Sequence, residues 1–308
     1  MKRTHVTDVW LTGERGHIAY DFVDVAVNDD NLLFIDPCLI EALDNEWGKQ
    51  AFKTMTSYFG CLYEAYESED TRSKYELFSH VGEQNGTRLG YGDGHNGKGH
   101  TADGMLDVLR PLETLIHEIR TIGVAQDLAV LVPGFAEDGM SDLLTNVLHD
   151  LLHEFTMEQM KKHGVRCNGI TVYYFWNAEA KEWQWTKKPG YLVDGRELLV
   201  VPKSIVRKNY LFGTGQYFAR VIIERIRTAG GMVDNDGKLI PKKDIIKSYR
   251  HSEDHWMYHK VIDYSKQDED ALEEYHDRMA FFYRENGGAM TDEELDKVVY
   301  GVKKRKSA

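Results

Sequence analysis

An α+β fold is what the sequence predicts: a mixed α/β body with a small mixed sheet and two hairpins, followed by a mainly helical C-terminal part. Three observations carry this. β-prone apolar runs at 17–27 and 31–35, and again at 170–176 and 183–186, flank turn-forming tetrads. Between those two hairpin patterns the apolar residues return at helical spacing. Beyond Pro202 the pattern is helical with no second β-rich stretch. The chain therefore divides into residues 1–202, the body that carries the candidate site, and residues 203–308, helical and locally basic.

Taken in order, His17 to Val27 and Asn31 to Ile35 form an expected hairpin around Asn28-Asp29-Asp30-Asn31, and Pro37 ends its second strand. Helical patterns with aromatic residues on their apolar sides run from Ile40 to Tyr66 and from Lys74 to Phe78. A glycine-rich segment interrupts them, and Met105 to Ile122 resumes the helical spacing with Pro111 as a restart. Leu128 to Val132 reads as a buried strand. A helix from Ser141 to Lys162 follows, with Leu144, Val147, Leu148, Leu151 and Phe155 as its apolar stripe. The second hairpin turns at Asn177-Ala178-Glu179-Ala180, and Glu197 to Val201 makes one more strand before Pro202. Helices are then expected at 217–228, 242–249, 271–284 and 292–302, with Gly230-Gly231 and Asn235-Asp236-Gly237 as a joint.

Composition narrows the function. A chain of 308 residues is long enough for a substantial core. Its longest apolar run, Leu128 to Val132, is stopped by Pro133, far short of the roughly 18–20 residues of a membrane span. The basic start Met1-Lys2-Arg3 is not followed by the apolar core of a signal peptide, so a cytoplasmic protein is expected. Cys38, Cys61 and Cys167 are widely spaced and read as reduced, packed thiols. A net charge of -12 argues against coating nucleic acid by bulk electrostatics. Lysines and arginines nevertheless concentrate between residues 203 and 250, where a local polyanion contact is expected.

The densest chemistry lies between Leu89 and Thr156. Gly92-Asp93-Gly94-His95-Asn96-Gly97-Lys98-Gly99 has the GxxxxGK spacing of a phosphate-binding loop. Gly99, however, stands where a Ser or Thr would bind magnesium, and a polar stretch precedes the loop instead of a strand. His95 and Lys98 are therefore candidates for gripping an anion, without the nucleotide site. On the next helix Asp142, Asn146, His149 and His153 share the face opposite the apolar stripe, and Glu137 and Asp138 precede them. His149-Asp150-Leu151-Leu152-His153 imitates HExxH, but Asp150 is a methylene short of the base and no third zinc ligand follows. In the expected first hairpin, Asp21 falls diagonally beside Asp36, a carboxylate pair that a cation would relieve.

These pieces point to a metal-dependent phosphodiester hydrolase, a nuclease by preference. Asp138, Asp142 and Asp36 hold magnesium or manganese, Lys203, His149 and Asp142 serve the water and leaving group, and Lys98, His95 and Arg207 bind the phosphate. Nucleic acid is then the partner of residues 203–250. The alternative is a non-catalytic interaction protein or regulatory subunit, meeting a protein partner or its own copy through aromatic hairpin surfaces such as Tyr173-Tyr174-Phe175-Trp176.

Overall fold

The computed structural model describes residues 3–82, 85–91, 101–250, 253–285 and 288–301. The chain is α+β, helix-rich throughout, with a helical C-terminal part. It opens with α1 (Val6–Trp10), a 3-10 turn at His17–Ala19 and the short strand β1 (Phe34–Ile35). Then come α2 (Pro37–Ala42), α3 (Glu46–Glu67), α4 (Thr71–Phe78), α5 (Ala102–Val108), α6 (Leu112–Glu118) and α7 (Asp127–Leu131). The site-bearing elements follow: α8 (Glu137–Val147), α9 (His149–Lys162), the hairpin β2 (Gly169–Asn177) and β3 (Glu182–Gly190), and the short pair β4 (Leu192–Val193) and β5 (Arg196–Glu197). After β6 (Val206–Arg207), α10 (Thr214–Tyr217) runs through a π-helical turn, Phe218–Ile222, into α11 (Ile223–Ala229). The chain continues with α12 (Lys242–Tyr249), α13 (Trp256–Gln267), α14 (Asp270–Glu285) and α15 (Asp292–Val299).

Helix α3 is the central support. Asn45 caps it by accepting from Gly48 N at 2.7 Å, and Met55, Tyr58, Phe59, Leu62 and Tyr66 bury one side of it. Each fully buried large side chain contributes roughly 1.5–3 kcal/mol. Glycine is required at position 48, because a Cβ there would lie 2.5 Å from the Leu43 carbonyl oxygen. Hairpin β2–β3 lies against this support: Trp176 and Trp183 both meet Tyr58 edge-on, at 5.2 and 5.8 Å. Its register pairs Tyr174 with Trp185 and Trp176 with Trp183, around the turn the sequence predicts.

The first expected hairpin is absent. Asn31 closes the loop with its own side chain, accepting from Ala26 N and donating to the carbonyls of Ala26, Asp29 and Arg88. A carboxamide thereby supplies the bonds that a second strand would have made. β1 pairs instead with β6, antiparallel, so Asp36 and Asp21 part company. Among the described residues the strands form three two-stranded antiparallel pairs, β1–β6, β2–β3 and β4–β5, beside isolated bridges such as Phe22 to Pro202 and Asn31 to Leu89.

Three further expectations change. The 128–132 segment is helical, because the Asp127 carboxylate accepts from Gly123 N and Val124 N and starts a turn there. The expected helix from Ser141 begins four residues earlier and divides at Leu148 into α8 and α9. Of the predicted strand Glu197 to Val201, only Glu197 is paired as a strand, in β5. Beyond it, Leu199 N, Val200 N and Val201 O bond to Gly86, Thr156 and Val23 in turn, three different partners that cannot form one ladder.

A single hydrophobic cluster runs from Val6 to Val299, so the C-terminal helices are built onto the body. α14 packs on α2, where Tyr283 donates to the buried Asp36 at 2.7 Å. α15 closes over the start of the chain. His17 Nδ1 meets Asp296 at 2.6 Å, Tyr300 donates to Asp24 at 2.6 Å, and Lys203 donates to Asp292 at 2.6 Å. Cys38, Cys61 and Cys167 are unbridged. No helix among the described residues is long and apolar enough to cross a membrane.

Candidate active site

His149 opens α9, and His153 stands one turn later on the same side. β5 brings Glu197 between them: His149 Nε2 lies 2.9 Å from one carboxylate oxygen and His153 Nδ1 lies 3.1 Å from the other. Both histidines are buried. Burial by itself would raise the Glu197 carboxyl, but the hydrogen bonds and charge of the two imidazoles outweigh it and hold the group down at about 2. An ionised Glu197 only accepts, so each facing ring nitrogen carries the proton. In the neutral form of His149 the lone pair is then on Nδ1, a buried atom with no protein partner.

The strand beside α9 holds this arrangement rigid. The Tyr173 ring stacks on the His149 imidazole, centroids 4.0 Å apart and planes within 4°. Its hydroxyl donates to Asp150 at 2.7 Å, and Lys188 of β3 donates to the same Asp150 oxygen at 2.5 Å. Asp150, placed by the sequence where a metallopeptidase would keep its base, is thus a tether between α9 and the hairpin. Gly190 makes the fit close: a Cβ there would lie 2.7 Å from the Thr171 methyl and 3.5 Å from His153 Cε1.

His149, Glu197, Tyr173 and Asn146 line a cleft of about 600 Å³ together with His80 and Tyr174. The His80 and Tyr174 rings stack at 3.6 Å and 8°. Burial lowers the His80 pKa and so favours its neutral form. Two histidines in different settings therefore face one cleft: His149 clamped by a carboxylate, His80 half-exposed on an aromatic ring. Such an arrangement offers a bound molecule two separate groups for proton transfer.

The other residues singled out by sequence lie elsewhere. Asp36 is fully buried as the cap of α2, accepting from Cys38 N, Leu39 N and Tyr283, and burial raises its carboxyl to about 6. Asp21 pairs with Lys162 at 2.6 Å, so the expected Asp21–Asp36 pair does not exist. Asp138 lies in the first turn of α8, where it complements the helix dipole, and packs against Gly90 (φ +131°). Asp142 is one turn before Asn146, which donates to its carbonyl at 2.8 Å. Among the described residues, no three His, Cys, Asp or Glu side chains are arranged to hold a metal ion. Lys203 is bound to Asp292 and the His17 carbonyl, and Arg207 donates to the Gly288 carbonyl at 2.7 Å. His95 and Lys98 lie outside the described residues. Of the proposed set, His149 is the one that lines the cleft.

Much of the basic 203–250 stretch is engaged internally. Arg225 pairs with Asp268 and Glu274, while Arg227 and Lys242 pair with Glu224. Sequence reasoning missed Glu197, Tyr173 and His80 as site residues. For Glu197 a signal was present: it is the one acidic residue heading the apolar run Leu198 to Val201, just after the Asp194-Gly195 turn.

The match to known families is confined to the part of the chain that builds this cleft. Residues 14–212 match a domain of unknown function, DUF8370. The chain belongs to that family. The matched span contains His80, His149, Tyr173 and Glu197, and it ends before α10. No curated protein and no solved structure matches the chain.

Proposed function

We propose that this DUF8370 member is an acid–base hydrolase working in the cleft between α9 and the hairpin. His149 is the group oriented for proton transfer, Glu197 is its anchor and His80 is the second proton carrier. One observation carries the reading: a half-buried carboxylate shared by two buried imidazoles lines an open cleft. Desolvating three ionisable groups together is costly to stability, and such clusters are concentrated at functional sites. Hydrolysis is kept from the sequence reading, but its carrier moves from the dispersed carboxylates to the histidine pair.

The test is turnover of chromogenic ester, amide, glycoside and phosphodiester substrates by the full chain, with and without magnesium or manganese. His149→Ala and Glu197→Gln are expected to lower any turnover found by about 100-fold or more. Asp36→Asn should leave it unchanged. Turnover that survives both cleft variants, or that falls with Asp36→Asn, would overturn the assignment.

A second reading, an interaction protein, has its own support. Ile170, Val172 and Tyr174 of β2 and Trp185 of β3 are exposed on one face of the hairpin. An apolar patch of this kind on a sheet face suits a protein partner. Sedimentation velocity of the full chain and of Val172→Lys separates the cases: self-association abolished by Val172→Lys favours this reading.

A further inference from the structure

A second cavity, of about 490 Å³, adjoins the cleft. Ser79 and His80 line both, so the two spaces meet at His80. Its walls include Trp176 and Trp183, whose rings cross edge-on at 5.7 Å. Neither indole N–H is left for a ligand, because Trp176 donates to Ser57 and Trp183 to the Leu77 carbonyl. The indoles therefore offer π surface, chiefly that of the half-buried Trp183 since Trp176 is buried, and no N–H donor.

Charge around the cavity is one-sided. Glu64, Asp70, Glu76 and Glu182 line it, against Lys181. Asp70 is engaged as the cap of α4 and Glu76 pairs with Arg72, whereas Glu64 and Glu182 are exposed, Glu182 accepting from Gln184 at 3.0 Å. An anion entering here meets carboxylates and a single lysine. A compact cation meets carboxylates at the rim and indole rings inside, the combination that favours ammonium and guanidinium groups.

We infer that the Trp176–Trp183 cavity binds an organic cation, an alkylammonium or guanidinium group, and that the molecule handled at His149 carries it. The second half of this statement rests on the hydrolase reading; the first does not. Because the spaces join at His80, the ligand is elongated, with its cationic end among the tryptophans and its reacting group against His149.

Spermidine is a suitable probe, measured by calorimetry and tryptophan fluorescence on the full chain at low and moderate salt. Saturable binding is expected, weakened at least tenfold by the double variant Glu64→Gln, Glu182→Gln and by added salt. Both substitutions are at exposed positions and should leave the circular dichroism spectrum intact. Glutarate, a flexible organic dianion, should not bind. Absence of saturable spermidine binding, binding unaffected by the double variant, or equal binding of glutarate would overturn the cation site. His149→Ala separates the two claims. Spermidine binding should persist in that variant while turnover is lost, and turnover that persists removes the hydrolase reading without touching the cavity.

Discussion

Glu197, half-buried, and Asp36, fully buried, are carboxylates whose environments push them in opposite directions. Glu197 receives two imidazoles and is held at about 2, below the ordinary glutamate value. Its folded pKa is depressed, so its contribution is present above about pH 4.5 and is lost as pH falls toward 2, on the order of 3 kcal/mol in all. Acid unfolding of Glu197→Gln should therefore flatten over that window, as followed by circular dichroism. Asp36 has no cationic partner as close, and burial raises it to about 6. A raised carboxyl acts with the other sign: the folded state prefers the proton, and stability declines as pH rises from about 4 through 6. Asp36→Asn keeps a capping oxygen and should stabilise the protein at pH 7 by about 1–3 kcal/mol. Chemical denaturation at pH 5 and pH 7 checks this, and a loss of stability at pH 7 would contradict the account.

At the scale of elements, the cleft exists because the hairpin is tied to α9. Tyr173 and Lys188 converge on Asp150 from adjacent strands, while the Tyr173 ring covers His149. Tyr173→Phe keeps the stack but removes the hydroxyl. It is expected to cost about 1–2 kcal/mol and to loosen His149, read as faster hydrogen exchange at the start of α9. Unchanged stability and exchange would show that the stack alone positions the ring. Much here was legible in the sequence. The hairpin turn, the amphipathic α3 and the His149/His153 spacing all follow from local patterns that tertiary packing reinforced. What stayed hidden depends on distant segments. The partner of His149 arrives 48 residues later on β5, and the first hairpin fails because Asn31 satisfies the backbone before a strand can. Periodicity reports which side of an element faces the core; it does not report which polar group meets which.

For the whole molecule, the family match and the folded unit have different extents. The match ends at residue 212, but α14 covers α2 and α15 clasps the 17–19 turn. A fragment ending at residue 212 would uncover the side of α2 that α14 packs on and leave Asp36 without Tyr283. It is expected to aggregate or to lose its cooperative thermal transition, and a fragment that melts cooperatively near the full-length Tm would show that the body folds alone. Removing only the chain from Thr291 onward should be milder, because it deletes the contacts to His17, Asp24 and Lys203 but leaves α14 in place.

The carboxamide of Asn31 also sets a limit on how the protein ages. Its NH2 group faces three carbonyl oxygens, those of Ala26, Asp29 and Arg88, in an almost fully buried position. Deamidation would replace that donor with a carboxylate oxygen pressed against three acceptors. Rigid enclosure protects the side chain while the fold is intact, so the damage would accumulate only in molecules that open. A sample stored close to its unfolding transition would then lose refoldable protein steadily, one side chain at a time.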